Sequence, residues 1–385
     1  MDAYVFIIPL WAVLIGANAT EVGLLVGARS LLPGLLAIHG GALIDRFGPR
    51  RIMVVFVVVI IVMAPLYTLL PWFIPLLVMQ TLIGLALTMQ WVGAQTTIAH
   101  LSRGETTYLG RFSFASRVGT FIAPIVFGAL WDLTNPTVCF IGVSLWAALM
   151  LTLTLGIGDG PEKPATAQLT AAQPTDHGNL RDLLPKWSDY RDTIALCAIP
   201  AIAISVAACF LRNSTSSMQG SIYVVYLTQI GITGTVIGIL FAAIEGASGI
   251  GSLFAGRVAR HFTPFAMLVG TTAAAIALIA VTPLLGGVIA LLLVAQVARG
   301  LLQGINQPVV FSVQAKAVPR EKQGAAVALR VTVNRISSIT VPPIMGIIAD
   351  TFSITASFLV LGAILIAGTG VLWLFARRIP EAAAT

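Results

Sequence analysis

The chain has 385 residues, of which 57% are hydrophobic and only 10% charged, with a formal net charge of +7. Soluble domains carry about 25% charged residues, so this composition excludes a protein whose whole surface faces water. The basic balance points to a membrane and not to nucleic acid, because of where the cations fall along the chain.

Twelve apolar runs follow in order, at roughly 1–15, 20–43, 52–70, 72–98, 107–131, 136–156, 192–228, 232–255, 264–282, 287–312, 324–349 and 354–376. The runs 52–70 and 354–376 hold no charge at all. About 20 apolar residues cross a ~30 Å hydrocarbon core as a helix. The expected fold is therefore an all-α membrane protein with twelve transmembrane helices in two six-helix bundles. The N-terminal bundle covers 1–156 and the C-terminal bundle 192–385, joined by a linker at 157–191 rich in Pro, Ala, Thr and charge. The first run is about 15 residues, ~22 Å as a helix and short of the core thickness. At an offset of 215 it aligns with Ser216, so residues 192–215 lack a first-half counterpart. The chain reads as beginning inside its first helix, which places Asp2 within the membrane. No cleavable signal peptide is expected. Cys139, Cys197 and Cys209 sit in apolar segments without metal-ligand spacing, so neither a metal nor a cofactor is expected.

Sixteen of the 22 Lys and Arg lie in alternate connections or at the C-terminus: Arg46, Arg50 and Arg51; Arg103 and Arg111; Lys163, Arg181, Lys186 and Arg191; Arg257 and Arg260; Lys316, Arg320 and Lys322; Arg377 and Arg378. The opposite connections hold none. The positive-inside rule makes the cation-rich side cytoplasmic, together with the central linker and the C-terminus. A bacterial-type inner membrane is the expected location.

The two halves repeat. Arg117, Pro124, Gly128 and Asp132 match Arg335, Pro342, Gly346 and Asp350 at an offset of 218, in the pattern R-x6-P-x3-G-x3-D. Gly41-Ala-Leu-Ile-Asp45-Arg46-Phe47-Gly48-Pro49-Arg50 has a partial second copy in Gly256, Arg260, Phe262 and Pro264. Parallel halves about an axis normal to the membrane place a site at their interface.

The segment GGALIDRFGPRR resembles the loop between spans two and three of the major facilitator superfamily, and the span count, linker and duplication extend the resemblance over the whole chain. It implies a secondary transporter working by alternating access. It also implies a cytoplasmic gate formed by Gly41, Asp45, Arg46, Gly48 and Arg50, with Asp45 and Arg50 latching the outward-open state. A plain topology anchor is the other reading of this loop. The second copy has Arg260 and Thr263 in place of Asp45 and Gly48. Gln80 stands before Gly84 where drug:proton antiporters of the family carry Arg.

The remaining six cations, Arg29, Arg117, Arg212, Arg299, Arg330 and Arg335, fall inside spans. Burying an Arg costs about 2.5–3.5 kcal/mol on insertion scales, so each needs water or a partner. The acids at comparable depth are Asp2 and Glu245, leaving the interior net positive. A positive cavity suits an anionic substrate, since guanidinium groups grip carboxylate or phosphate through paired hydrogen bonds. Arg29, Arg117, Arg212, Asn334 and Arg335 are the candidate substrate contacts. Pairing with carbonyls at the kinks near Pro124 and Pro342 is the competing role for Arg117 and Arg335. Arg330 reads as snorkelling and Arg299 as a packing residue. The polar run Arg212–Gln219 reads as a kink lining a cavity or as hydroxyls bonding back to their own helix. Glu245 is the first candidate proton carrier and Asp2 the second, a static ion pair being the alternative. Gln90, Gln95, Gln303, Asn306 and Gln307 bond either substrate or neighbouring helices.

The expected partners are a small, anionic solute, the lipid bilayer and protons, with the chain acting as a monomer and without nucleic acid. Efflux of drugs or apolar metabolites by proton antiport is the alternative. An intramembrane protease built on Gly246-Ala-Ser248-Gly249 with His39 is a remote one. No phosphate-binding loop is present to couple ATP.

Overall fold

The computed structural model describes residues 3–36, 43–44, 46–102, 105–156, 200–317 and 323–377. Fourteen helices of five residues or more run through these: α1 Ala3–Leu14, α2 Ala19–Ala28, α3 Leu31–Leu35, α4 Pro49–Leu69, α5 Phe73–Leu101, α6 Thr106–Leu133 and α7 Pro136–Gly156 in the first half. In the second come α8 Pro200–Gln219, α9 Ile222–Gln229, α10 Gly234–Val258, α11 Pro264–Ala280, α12 Ile289–Ala317, α13 Gln323–Thr351 and α14 Ile354–Arg377. Eight are long and apolar enough to cross a membrane, and α1 and α11 are shorter apolar helices. The pairs α2/α3 and α8/α9 are broken spans, which completes twelve. Asp2, Gly41, Asp45, His39, Cys197 and the linker 157–191 lie outside the described residues.

Proline punctuates the helices in the way its missing N–H dictates. It opens α4, α7, α8 and α11, where that donor has no helical partner anyway. Inside α13, Pro343 leaves the Ile339 carbonyl without its helical donor. That carbonyl faces Gly27 of α2, where a β-carbon would stand 2.9 Å from it. The turns Gly16 and Gly231 both have positive φ, 81° and 78°, and occupy matching places before α2 and α10.

Two breaks differ from the spans expected from sequence. The second span is not one helix over 20–43: it ends at Ala28, and Arg29 and Ser30 bridge to the short α3, which contains Pro33. The seventh runs unbroken through Arg212–Gln219 and breaks just beyond, at Gly220–Ser221. The hydroxyls of that polar run are satisfied locally, Ser214 donating to the Phe210 carbonyl (2.8 Å), Thr215 to Arg212 (2.7 Å) and Ser217 to Asn213 (3.1 Å). Across the interface, Asn213 Nδ2 donates to the Asn334 carbonyl (2.8 Å) and Ser338 Oγ (3.0 Å). Ser214 and Ser337 share a hydroxyl hydrogen bond of 3.1 Å. The run glues α8 to α13.

The halves meet along two crossings related by the internal repeat. α2 crosses α13, and α6 crosses α10. A β-carbon on Gly23 would overlap the Pro342 carbonyl, and one on Gly238 would overlap that of Pro124. One on Gly346 would lie 2.6 Å from the Thr20 Cα, and one on Gly128 3.2 Å from the Thr235 Cα. Backbones this close exclude any side chain, the way small residues let membrane helices approach.

Candidate functional site

Both crossings end in a carboxylate seated on a helix N-terminus of the other half. Asp350, at the end of α13, accepts from the backbone N–H groups of Ala19 (3.0 Å) and Thr20 (2.8 Å) at the start of α2. Asp132, at the end of α6, accepts from Gly234 N–H (2.8 Å), Thr235 N–H (2.7 Å) and the Thr235 hydroxyl (2.6 Å) at the start of α10. The first turn of a helix has free N–H groups and the positive end of the dipole, so it is a natural seat for a carboxylate. α2 is capped a second time by its own Asn18–Glu21 capping box. All four helix ends lie at the connections without Lys or Arg. The seam therefore closes the cation-poor face.

Deeper along the seam the structure brings Arg29 and Arg335 together. Their guanidinium groups lie within electrostatic reach of each other across the two halves. Arg335 Nη2 donates to Thr88 Oγ1 on α5 at 3.5 Å, and Thr88 in turn donates to the Gly84 carbonyl (2.9 Å). The Arg29 carbonyl rests against Gly84 so closely that a β-carbon there would overlap it. Arg335 also packs its Cβ under Gly34, 3.3 Å from where a β-carbon would be. Arg29 thus sits at the break between α2 and α3, held by α5, and Arg335 is carried to it by α13. Tyr4 of α1 and Tyr67 of α4 lie within electrostatic reach of Arg29 as well.

The other sequence candidates are elsewhere. Arg117 is exposed on α6, and no polar contact joins it to Arg29 or Arg335 among the described residues. Arg212 lies with Thr215, Thr271, Thr272, Gln303 and Asn306 around a gap between α8, α11 and α12 that is too tight for a water molecule. Its Nε and the Asn306 Oδ1 are buried there without partners. Asn334 contributes its carbonyl to Asn213, while its side-chain oxygen is buried and unpartnered. Arg330 lies 4.3 Å over the Phe311 ring.

Glu245, half-buried on α10, acts electrostatically on Arg299 of α12. Arg299 is 1% exposed and is the largest fully buried side chain. It donates to Gln296 Oε1 (3.0 Å), to Gln219 Oε1 and to the Thr215 carbonyl (3.4 Å), which ties α12 to α8 as a packing residue would. The amides of the fourth and tenth spans also join helices. Gln90 donates to the Met53 carbonyl on α4, and Asn306 to Leu268 (3.1 Å), Thr271 (2.8 Å) and Thr272 (3.1 Å) on α11. Ser248 is part of a close α10–α12 crossing, where a β-carbon on Gly304 would overlap its carbonyl. Gly246 packs against the Phe121 ring, 3.0 Å from where its β-carbon would be, while nothing lies within 4 Å of that position on Gly249.

Of the loop motif, Arg50 Nη2 donates to the Leu155 carbonyl at the C-terminal end of α7 (2.8 Å), where the dipole favours a cation. Arg46 lies 5.5 Å over the exposed Phe47 ring, and Gly48 has φ 81° before the α4 proline. Sequence reasoning did not single out Tyr4, Tyr67 or Thr88, nor did it give Asp132 and Asp350 a task. The aspartates carried a signal in the repeated R-x6-P-x3-G-x3-D. The tyrosines carried none beyond being polar in an apolar run.

The described residues form a duplicated bundle of membrane-spanning helices whose halves are joined at one face by the Asp132 and Asp350 caps. The sequence model described as Major Facilitator Superfamily matches residues 1–217 and 204–385, and the chain belongs to that family. No curated protein matches the sequence. Among solved structures, a mutant of nucleoside transporter NupG aligns over 98% of this chain and 96% of its own, with a TM-score of 0.78 at 13% identity. A bacterial homolog of the human lysosomal transporter Spinster, inward-facing and occupied, aligns over 99% and 94% with a TM-score of 0.72 at 16% identity. The same homolog, inward-facing and unoccupied, aligns over 100% and 93% with a TM-score of 0.67 at 16% identity. At these identities the likeness concerns the fold alone. The chain is an integral multi-pass membrane protein of a transporter family.

Proposed function

We propose that the chain is a secondary active transporter that moves a small anion by alternating access, with protons as the coupling ion. Its working halves are residues 1–156 and 192–385, joined by the 157–191 linker, and one chain suffices for function. The observation that carries this reading is the pair Arg29 and Arg335. One comes from each half, and they lie within electrostatic reach of each other behind a closed seam. Like charges carried toward each other from the two halves raise the positive potential between them, which favours an anionic solute there. The positive-inside rule makes the cation-rich face cytoplasmic, so the seam closes the outer face. Glu245 supplies the proton step. Protonating it removes the negative charge that offsets Arg299, raises the positive potential inside and favours an anion entering with the proton.

The test uses full-length protein in proteoliposomes, with radiolabelled acetate or phosphate as the anion and uridine and tetraphenylphosphonium as comparison solutes. An anion should accumulate, faster when the outside is acid. Arg335→Ala should lower that flux at least about tenfold, the weight of a lost hydrogen bond to a charged group. Glu245→Gln should retain downhill anion flux but lose its acceleration by the pH gradient. Transport of uridine or tetraphenylphosphonium with neither anion moving would refute the anion reading. A Glu245→Gln variant still driven by the gradient would refute the proton route.

A further inference from the structure

The α6–α10 crossing keeps a single register. A β-carbon on Gly128 would stand 2.5 Å from the Gly234 carbonyl oxygen. Four residues earlier on α6 and four later on α10, a β-carbon on Gly238 would overlap the Pro124 carbonyl. The two helices therefore run antiparallel, and each step down α6 is matched by a step up α10. Seven further residues are nearly two helical turns and return to the same face. They bring Arg117 of α6 opposite Glu245 of α10.

Here the helices part. The Phe121 ring still reaches Gly246, 3.0 Å from where a β-carbon would be. Beyond it Phe114 is 71% exposed, and nothing lies within 4 Å of the β-carbon positions on Gly110, Gly249 and Gly256. These glycines continue the two contact stripes toward the cation-rich face, Gly110 on α6 and the others on α10. Arg117 is exposed, and among the described residues no hydrogen bond or ion pair holds its guanidinium group. The internal repeat shows the other crossing still in contact at this depth. Arg335, the counterpart of Arg117, keeps its Cβ 3.3 Å from the β-carbon position of Gly34 in the first half. The counterpart of Glu245 at that crossing is Ser30, at the 215-residue offset. Packing alone therefore does not call for a carboxylate at this position.

We infer that Arg117 and Glu245 form an ion pair between the halves when the cation-rich face closes, and that this pair stabilises the closed state of that face. The inference rests on the alternating-access reading and not on the identity of the solute. Closing expels water from between α6 and α10, and an arginine inside a span is costly without water or a partner. Glu245 is the acid at its register. Glu245 also acts on Arg299, and a carboxylate has lone pairs enough to serve both arginines.

Double electron–electron resonance on the full-length protein in proteoliposomes tests this. Spin labels replace Glu105 and His261, both exposed, where α6 begins and just beyond the end of α10. The unsubstituted protein should show a short-distance population, with the face closed, beside a long one. Arg117→Gln and Glu245→Gln should each lower the short population at least about threefold, between the weight of an exposed ion pair and that of a charged hydrogen bond. Arg117→Lys should keep most of it. The double variant should lose no more than either single one, because both remove the same pair. A shift with only one of the two single variants overturns the pair; if that one is Glu245→Gln, the carboxylate acts through Arg299 instead. Additive losses overturn it as well, and so does an equal loss with Arg117→Lys, since charge would then not be what matters. No solute enters the measurement, so the pair can fail while anion transport stands. A long distance alone in every variant would refute alternating access and the pair together.

Discussion

Exchanging Asp132 and Asp350 together for alanine is expected to open the cation-poor face. Each carboxylate bridges the halves by accepting two or three hydrogen bonds from a helix N-terminus, at 2.6–3.0 Å. Both side chains are exposed, so these contacts are screened by water and their value is that of an ordinary cap. Removing an N-cap acceptor costs about 0.5–2 kcal/mol. Two such losses fall only on the closed state, because α2 and α10 reach these carboxylates only when the seam is shut. A combined loss of about 2 kcal/mol shifts the populations roughly thirtyfold toward opening. Spin labels at Thr134 and Thr351, both exposed on connections at that face and one in each half, would report it as a longer distance by double electron–electron resonance. Asparagine at the same positions keeps an acceptor oxygen but loses the charge, and its effect should be smaller. A distance distribution identical to that of the unsubstituted protein would mean that glycine packing alone holds the face shut.

Much of this arrangement was legible in the sequence because membrane insertion writes itself in composition. Spans and their count follow from apolar length, and the duplication from spaced Arg, Pro, Gly and Asp. What stayed hidden depends on contacts between distant segments. Asp132 and Asp350 were visible as the ends of a repeat, but their partners are backbone N–H groups 102 to 103 and 330 to 331 residues away, which no side-chain pattern announces. Arg29 and Arg335 were singled out as buried cations, yet only the α2–α13 crossing brings them together. Arg117, the repeat counterpart of Arg335, shares its sequence environment and not its surroundings. The break after Ala28 had a signal in Pro33, whose missing N–H leaves the Arg29 carbonyl without its helical donor, but the expected span runs through it as continuous. The break is stabilised from outside, by the Gly84 backbone packed against the Arg29 carbonyl. The polar run of α8 failed as a kink signal for the opposite reason. Its hydroxyls bond within the helix and to α13, so the helix tolerates them, and the chain bends at Gly220–Ser221 instead.

Gly346→Ala is expected to have the larger effect on transport, although it adds a single methyl group. The new β-carbon would overlap the Ala19 carbonyl and stand 2.6 Å from the Thr20 Cα. Carbon atoms pack at about 3.5–4.0 Å, so α2 and α13 must part by roughly 1 Å or more. A flexible side chain could swing aside; two backbones cannot, and parting them also pulls Asp350 from the start of α2. The state open at the cation-poor face does not need this crossing, so the protein should fold, insert and remain there. Alternating access then stops for want of one of its two states, and turnover should fall at least about a hundredfold, the equivalent of about 3 kcal/mol against the closed state. Gly119→Ala on α6 is the control, since nothing lies within 4 Å of its β-carbon position. Circular dichroism and detergent elution should match for the two variants, while flux and the Thr134–Thr351 distance should differ. Combining Gly346→Ala with Asp350→Ala tests the common cause. If both act by unsealing α2 from α13, the second substitution adds little to the first, because a carboxylate already pulled off its helix has nothing left to lose. Additive effects would mean that the glycine crossing and the carboxylate cap hold different parts of the protein.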